Sequence, residues 1–380
     1  MTACSHAWNS LGMNPFGRVR ACGRSVPNTD NPSLKIVSIA QAWNSDYYKQ
    51  LRLDMLAGVE NKNCDKCHVQ EQLGGISKRM QINKDTSFDV VAARANTNID
   101  GSVDHSPTNI DIRVGNICNL KCIHCWTGNS SKWFEDKLLL DKYENTQNYK
   151  IDNKWISKNG SIWQYVRDNC NTIQRLNILG GEPFASKEHN QLIDWLIAND
   201  KVNIELNYVT NGTLLYPDVV EKLKKFKHVG LGISLDDTHS RAEFLRFPTK
   251  WKLLEQNLQY VNKSFTGAYF LWSCYNMNFY QLADTYNYCS NNFNNMQFRL
   301  GDFVNSPSHM SVQNLPLEFK HEITNRVKDV PDVEFFLNYM MAEHTWEQSG
   351  SILKQYLTDL DTTRKTDWKT TFPEIAKLYE

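Results

Sequence analysis

The sequence predicts an α/β protein: a partial, open (β/α)6 barrel, preceded by a small cysteine-rich α+β domain and followed by a helical C-terminal tail. Three observations predict it. From residue 109, six strand-like apolar runs alternate with helix-period runs, the pattern of a parallel sheet with crossover helices. Four of the ten cysteines fall within the first 67 residues, in two separated pairs. Beyond residue 307 only helical spacing remains. The 380 residues therefore divide into a domain at 1–75, a polar connector at 76–106, the barrel at 107–307 and the tail at 308–380.

Composition narrows the function. Lys+Arg and Asp+Glu both number 42, so the formal net charge is zero and no basic field exists for large nucleic acids or an anionic membrane. There is no run of eighteen apolar residues and no charged-then-apolar leader at Met1, so neither membrane insertion nor export is expected. Ten cysteines in so long a chain make a poor disulfide framework but suit metal binding in a reducing cytoplasm. The 11 tryptophans and 16 tyrosines are scattered, as core or cleft-lining residues would be.

In the first segment, Asn14-Pro15-Phe16-Gly17 reads as a turn, and a hairpin around it would bring Cys4 and Cys22 close together. Residues 42–58 have helical spacing with a glycine stop and lead to the CxxC pair Cys64 and Cys67. Two cysteines on a hairpin and two on a knuckle can enclose a metal, as in a structural zinc ribbon. His6 and His68 neighbour them and read as surface histidines.

The stretch around which the barrel is organised is residues 111–126, DIRVGNICNLKCIHCW, with Cys118, Cys122 and Cys125 at CxxxCxxC spacing. A [4Fe–4S] cube normally takes four thiolates. This loop offers three, which leaves one iron open to bind and polarise a small molecule. Structural zinc sites more often pair two distant CxxC knuckles.

Strands are expected at 109–117, 172–179, 203–210, 229–236, 266–275 and 295–304, and helices at 160–169, 186–198, 217–226, 251–263 and 279–292. Active groups of parallel barrels lie on loops after the strands, and the polar motifs fall there. Gly180-Gly181-Glu182-Pro183 follows the second strand: paired glycines admit close backbone approach, and Glu182 can accept from an ammonium. Thr210-Asn211-Gly212-Thr213 follows the third and suits ribose hydroxyls, or a helix cap. Ser234-Leu235-Asp236-Asp237 follows the fourth, with Arg246 ten residues beyond Asp236. Cys274 and Tyr275 end the fifth strand, facing the substrate side; Cys274 reads best as a buried small hydrophobe, and Cys170 and Cys289 as packing residues. The tail carries no motif; it closes the open side of the barrel or walls the substrate.

CxxxCxxC after the first strand, followed in order by GGE, TNG and SLD at successive strand ends, resembles the radical S-adenosylmethionine (radical SAM) superfamily. The resemblance implies a partial barrel, a catalytic [4Fe–4S] cluster on Cys118, Cys122 and Cys125, and S-adenosylmethionine (SAM) on the fourth iron. It implies reductive cleavage of SAM to a 5′-deoxyadenosyl radical that abstracts a substrate hydrogen, with flavodoxin or ferredoxin as reductant. Gly180, Gly181 and Glu182 would hold the methionine amino group, Asn211 and Ser234 the ribose, and Asp236 and Arg246 would be further SAM contacts. His124 stands where the superfamily usually has an aromatic ring, and would pack against adenine.

Cys4, twelve residues, Gly17, four residues and Cys22, then the CxxC, is similar to the SPASM and twitch auxiliary-cluster domains of that superfamily, which implies a second [4Fe–4S] cluster on Cys4, Cys22, Cys64 and Cys67. Further SPASM cysteines are absent, and the domain precedes the barrel instead of following it. The implied substrate is a peptide oxidised or cross-linked at a side chain; a sugar or nucleotide is the alternative, and a non-catalytic iron–sulfur or zinc protein a third reading.

Overall fold

The computed structural model describes residues 2–25, 31–72, 74–143 and 162–380. Two compact units form: Met1–Asn116 with Ile151–Asn207 and Lys225–His228, and Ile117–Lys150 with Tyr208–Lys224 and Val229–Glu380. Eight strands run in chain order: β1 Ser10–Met13, β2 Val19–Arg20, β3 Asn109–Arg113, β4 Arg175–Leu179, β5 Glu205–Thr210, β6 Val229–Ser234, β7 Ala268–Cys274 and β8 Gln297–Phe303. The six strands expected from the sequence are β3 to β8, each somewhat shorter than the apolar run that announced it. β2 and β8 each have one neighbouring strand among the described residues, so the sheet is open.

In the first unit the strand order is β2-β1-β3-β4. The hairpin forms as its turn residues require. Asn14 Oδ1 accepts from the Phe16 and Arg18 amides at 3.0 and 2.9 Å, and Gly17 takes φ 78°. Its first strand then pairs in parallel with β3, Leu11 opposite Ile110, so the cysteine-rich segment extends the sheet itself. β3 pairs in parallel with β4 from Asn109↔Arg175 to Arg113↔Leu179. The amphipathic helix Lys187–Ala198 buries Leu192, Ile193 and Leu196, and Ser186 caps it.

Residues 76–106 form helices Lys78–Asp85 and Val90–Ala95 within the first unit. Their buried faces are thin, Arg79 and Ile82 on one and Ala93 on the other, so no apolar period marks them. Polar contacts hold them instead: Asn83 Nδ2 donates to Ala3 O at 2.9 Å and Trp8 Nε1 to Thr97 Oγ1 at 2.8 Å. The buried Arg52 guanidinium donates to Ala7 O, Asn44 Oδ1, Gly101 O and Trp43 O at 2.9–3.1 Å, joining four separate segments. With four of its five N–H groups donating, that buried charge is hydrogen-bonded as burial requires.

In the second unit β6, β7 and β8 run parallel, with Leu231↔Ala268 and Tyr269↔Gln297 in register. Its core joins Ile123 and Trp133 to Trp272, Phe279 and the tail residues Phe319, Ile323, Phe336, Met340, Leu353, Leu357 and Leu360. These seven tail residues come from helices Leu317–Val327, Glu334–Met341 and Trp346–Arg364, whose apolar faces supply them at helical spacing. A short helix, His239–Leu245, was not anticipated from the sequence. The expected helix at 160–169 lies partly outside the described residues; Ile162–Asp168 is helical. Among the described residues no helix is long and apolar enough to cross a membrane.

Candidate functional site

The cysteine loop is held through its backbone. Lys121 O accepts from Arg364 Nη2 at 2.7 Å, Cys122 O from Trp133 Nε1 at 3.2 Å, and Ile123 O from the Tyr356 hydroxyl at 2.6 Å. The Lys121 and Ile123 amides donate to Phe247 O and Leu245 O at 2.7 and 2.9 Å. A loop without regular structure thus has its polar backbone satisfied on both sides. Cys122 is buried and Cys118 and Cys125 are half-buried; none of the three is in a disulfide. Arg364 and Tyr356 carried no sequence signal, because they lie in the tail more than 230 residues from the loop.

Behind Cys122 lies a buried ionic network. Asp236 is fully buried and accepts from Arg246 Nη2 at 2.9 Å and from the Tyr275 hydroxyl at 3.1 Å; Arg246 Nε stands 2.8 Å from its other oxygen. Burial alone would raise the Asp236 carboxyl, but Arg246 and then His124 outweigh it and hold its pKa below the ordinary value. Burial opposes the Arg246 charge too, and Asp236 and Cys122 more than compensate. Asp236 and Arg246, expected from the sequence as further SAM contacts, satisfy each other in the interior. Two opposite charges this deeply buried are stable only when paired.

The His124 ring packs on Tyr275 with centroids 4.9 Å apart. Burial lowers its pKa to about 4, against the pull of Asp236, so the imidazole is neutral at pH 7. Burial raises the Cys122 thiol, while Arg246 and Arg364 favour its thiolate. Arg364 Nε and Nη1 are buried donors without hydrogen-bond partners. Unused guanidinium donors near a buried thiol fit a loop that carries an anionic thiolate centre.

Asn211 reaches the same loop. Its Nδ2 donates to Asn119 Oδ1 at 2.9 Å and lies 4.0 Å from Cys118 Sγ, while its Oδ1 accepts from the Thr213 amide at 2.9 Å. Asn119 completes a ring by donating to Thr213 Oγ1 at 2.8 Å. Ser234 ends β6 and is half-buried. Tyr275 and Cys274 are fully buried, Cys274 as the expected small hydrophobe.

In the first unit, Gly180 and Gly181 turn the chain after β4 with φ of 83° and 52°. A Cβ on Gly180 would come within 3.1 Å of Arg113 Cα, so only glycine fits there. Glu182 is fully buried and accepts from the Phe184 amide at 3.2 Å, capping the turn Pro183–Ala185.

The other four cysteines also meet in the first unit. Cys4, Cys22, Cys64 and Cys67 line one cavity together with His6, Arg24, Lys66, Lys78 and Arg79. Burial raises the Cys4 thiol far above its ordinary value, and the other three push it further. Cys64 is pushed up to about 12 by burial, Cys22 and Cys67, with Arg79 opposing. Cys67 sits in the first turn of helix Asp65–Gln72. His6 and His68 are buried, 6% and 7% exposed, correcting the surface reading; a lone histidine in a short element has no sequence feature that reports burial. Burial, Lys78 and Arg175 lower the His6 pKa to about 3. Among the described residues no three of His, Cys, Asp and Glu converge on a point that would hold a single ion; these four thiols ring a cavity instead.

Residues 112–283 match the family described as the radical SAM superfamily. Two relatives are the antilisterial bacteriocin subtilosin biosynthesis protein AlbA of Bacillus subtilis (strain 168), 26% identical over 137 residues, and the radical SAM cyclopropyl synthase TigE of Paramaledivibacter caminithermalis, 24% identical over 189 residues. The matches cover 36% and 47% of this chain but only 26% and 39% of those proteins. A solved structure of Streptococcus suis SuiB bound to S-adenosylmethionine is 16% identical, covering 77% of this chain and 61% of that one with TM-score 0.38. The matched residues, 112–283, include Cys118, Cys122, Cys125, Gly180, Gly181, Glu182, Asn211, Ser234, Asp236 and Arg246, so this part of the chain is similar to the radical SAM superfamily over the stretch that carries its motifs.

Proposed function

We infer that the protein reductively cleaves SAM and uses the 5′-deoxyadenosyl radical to take a hydrogen atom from a peptide side chain, with net oxidation or cross-linking of that side chain. The observation that carries this reading is the CxxxCxxC loop itself. Its three cysteines stand within the superfamily match, its backbone is clamped, and the guanidinium groups of Arg246 and Arg364 act on Cys122. Cys118, Cys122 and Cys125 would hold the [4Fe–4S] cluster, Gly180, Gly181 and Glu182 the SAM methionine end, and Asn211 and Ser234 its ribose. When bound, cluster and SAM supply the radical; the chain's part is to orient them and to exclude water. The neutral His124 ring on Tyr275 offers an apolar face for adenine. A relative named for bacteriocin biosynthesis supports a peptide as substrate, and cytoplasmic flavodoxin or ferredoxin is the expected reductant.

Cys4, Cys22, Cys64 and Cys67 belong to a twitch-like auxiliary domain and would hold a second [4Fe–4S] cluster that exchanges an electron with the substrate radical. A single tetrahedral zinc draws its sulfurs to within about 4 Å of one another, whereas a cube spreads them around a void. The four thiols ring a cavity whose other residues include four cations, which suits a dianionic four-thiolate cluster.

The test is anaerobic reconstitution with iron and sulfide, on wild type and on the Cys118→Ala/Cys122→Ala/Cys125→Ala variant, followed by dithionite and SAM. About eight irons per chain are expected, falling to about four in the variant with loss of 5′-deoxyadenosine. A fully loaded wild type that releases no 5′-deoxyadenosine, with or without candidate peptides and sugars, would make this a non-catalytic iron–sulfur protein.

A further inference from the structure

We propose that His6 donates a hydrogen bond to sulfur of the centre held by Cys4, Cys22, Cys64 and Cys67 and so raises its reduction potential; this rests on the iron–sulfur reading of that centre. His6 is 6% exposed, and neither Nδ1 nor Nε2 has a hydrogen-bond partner. A buried imidazole with both nitrogens unmatched is costly unless something absent from the bare chain completes it. The ring lines the same cavity as the four thiols. It is also anchored: the Ser5 amide donates to Asn83 Oδ1 at 2.9 Å, Asn83 Nδ2 to Ala3 O at 2.9 Å, and the Ser10 amide to His6 O. The ring therefore has no route to solvent short of unpicking residues 3–10.

A neutral imidazole carries one N–H. The cavity wall also carries four cations that offer no acceptor, Lys66, Lys78, Arg24 and Arg79, two neutral polar side chains, Ser25 and Asn63, and the thiols. Once those thiols are thiolates, sulfur is the acceptor at hand. Hydrogen bonds to cluster sulfur and nearby positive charge both favour the more negative, reduced form. Two carboxylates offset part of that positive charge: Glu71 is paired with Arg79, and Asp65 adjoins Cys64. His6 is thus a positioning residue for electron entry at this centre.

The experiment uses the full chain in the Cys118→Ala/Cys122→Ala/Cys125→Ala background, so that one centre is read alone. It is reconstituted anaerobically and titrated potentiometrically with EPR detection, alongside His6→Phe and His6→Asn. His6→Phe should make reduction at least tenfold less favourable, a fall of about 59 mV for one electron, and His6→Asn, which keeps an N–H donor, should recover part of it. Full iron content with an unchanged midpoint in His6→Phe overturns the proposal. If His6→Phe fails to assemble, pulsed EPR of the reduced parent decides. A weak coupling to imidazole nitrogen with an exchangeable proton is expected; its absence, or a coupling strong enough for direct iron ligation, overturns it. Zinc without iron at these four cysteines in the parent protein removes the iron–sulfur reading itself, and the proposal with it.

Discussion

The Tyr356 hydroxyl donates to the carbonyl oxygen of Ile123 at 2.6 Å, across 233 residues of sequence. Tyr356 and Arg364 stand eight residues apart, about two turns, on one face of the helix Trp346–Arg364, and between them they hold the carbonyls of Ile123 and Lys121. The tail is therefore a clamp on the cysteine loop, a more specific role than closing a barrel. Replacing Tyr356 by Phe leaves the Ile123 carbonyl buried and unsatisfied, a cost of about 1–3 kcal/mol. We expect Tyr356→Phe to bind iron with unchanged stoichiometry but to lose the Cys118/Cys122/Cys125 cluster several-fold faster to a chelator. Unchanged loss rates would show that the loop holds its shape without the tail.

The Asp236–Arg246 pair makes a second prediction. Removing one partner of a buried pair strands the other charge, typically at about 3–5 kcal/mol. Asp236→Asn should cost about that much in urea unfolding of the iron-free chain, and so should Arg246→Met. Asp236→Leu combined with Arg246→Met should cost much less than the sum, because no charge is left unpaired. If the single variants kept full stability and lost only SAM affinity, the pair would be a ligand contact after all.

Gly180 carries a backbone prediction. Alanine there must take φ near 83° and place its Cβ 3.1 Å from Arg113 Cα. The left-handed conformation alone costs about 1–2 kcal/mol in a residue with a side chain, and the contact adds to it. Gly180→Ala should lower Tm by several degrees before any cofactor is considered. A variant with wild-type Tm would show that β3 and the glycine turn can separate without penalty.

Legibility in the sequence followed the physics of each feature. β3 to β7 were readable because the buried positions of a strand must be apolar, as Ile110, Ile112, Leu176 and Ile178 are, and β8 because Phe298 and Leu300 alternate with the exposed Gln297 and Arg299. The CxxxCxxC and the paired glycines were readable because chemistry and close approach restrict those positions to single residue types. The helices Lys78–Asp85 and Val90–Ala95 were not, since they are held by Asn83 and Thr97 side chains that have no period. The mutual pairing of Asp236 and Arg246 was likewise hidden: a charge at a strand end looks the same whether it awaits a ligand or a partner ten residues on. The burial of His6 depends on contacts with residues 78–83, which no local pattern encodes.

His189 gives the pH prediction. It is fully buried on helix Lys187–Ala198, with Nδ1 3.1 Å from Asn190 Oδ1 and its ring edge-on to Phe184 at 5.5 Å. Burial lowers its pKa from 6.5 to about 4, and the Asn190 contact only partly opposes this. The unfolded chain takes up the proton as pH falls through 6.5, whereas the folded chain resists until about 4. The stability this histidine contributes is therefore fully present above pH 6.5 and is lost as pH falls through the folded pKa. At 1.36 kcal/mol per pKa unit the loss is about 3 kcal/mol. Urea unfolding of the iron-free chain at pH 7 and pH 4 should show wild type losing about that much more than His189→Gln, whose side chain does not titrate. Equal losses in the two proteins would mean that His189 is protonated in the fold without penalty, and that water reaches it.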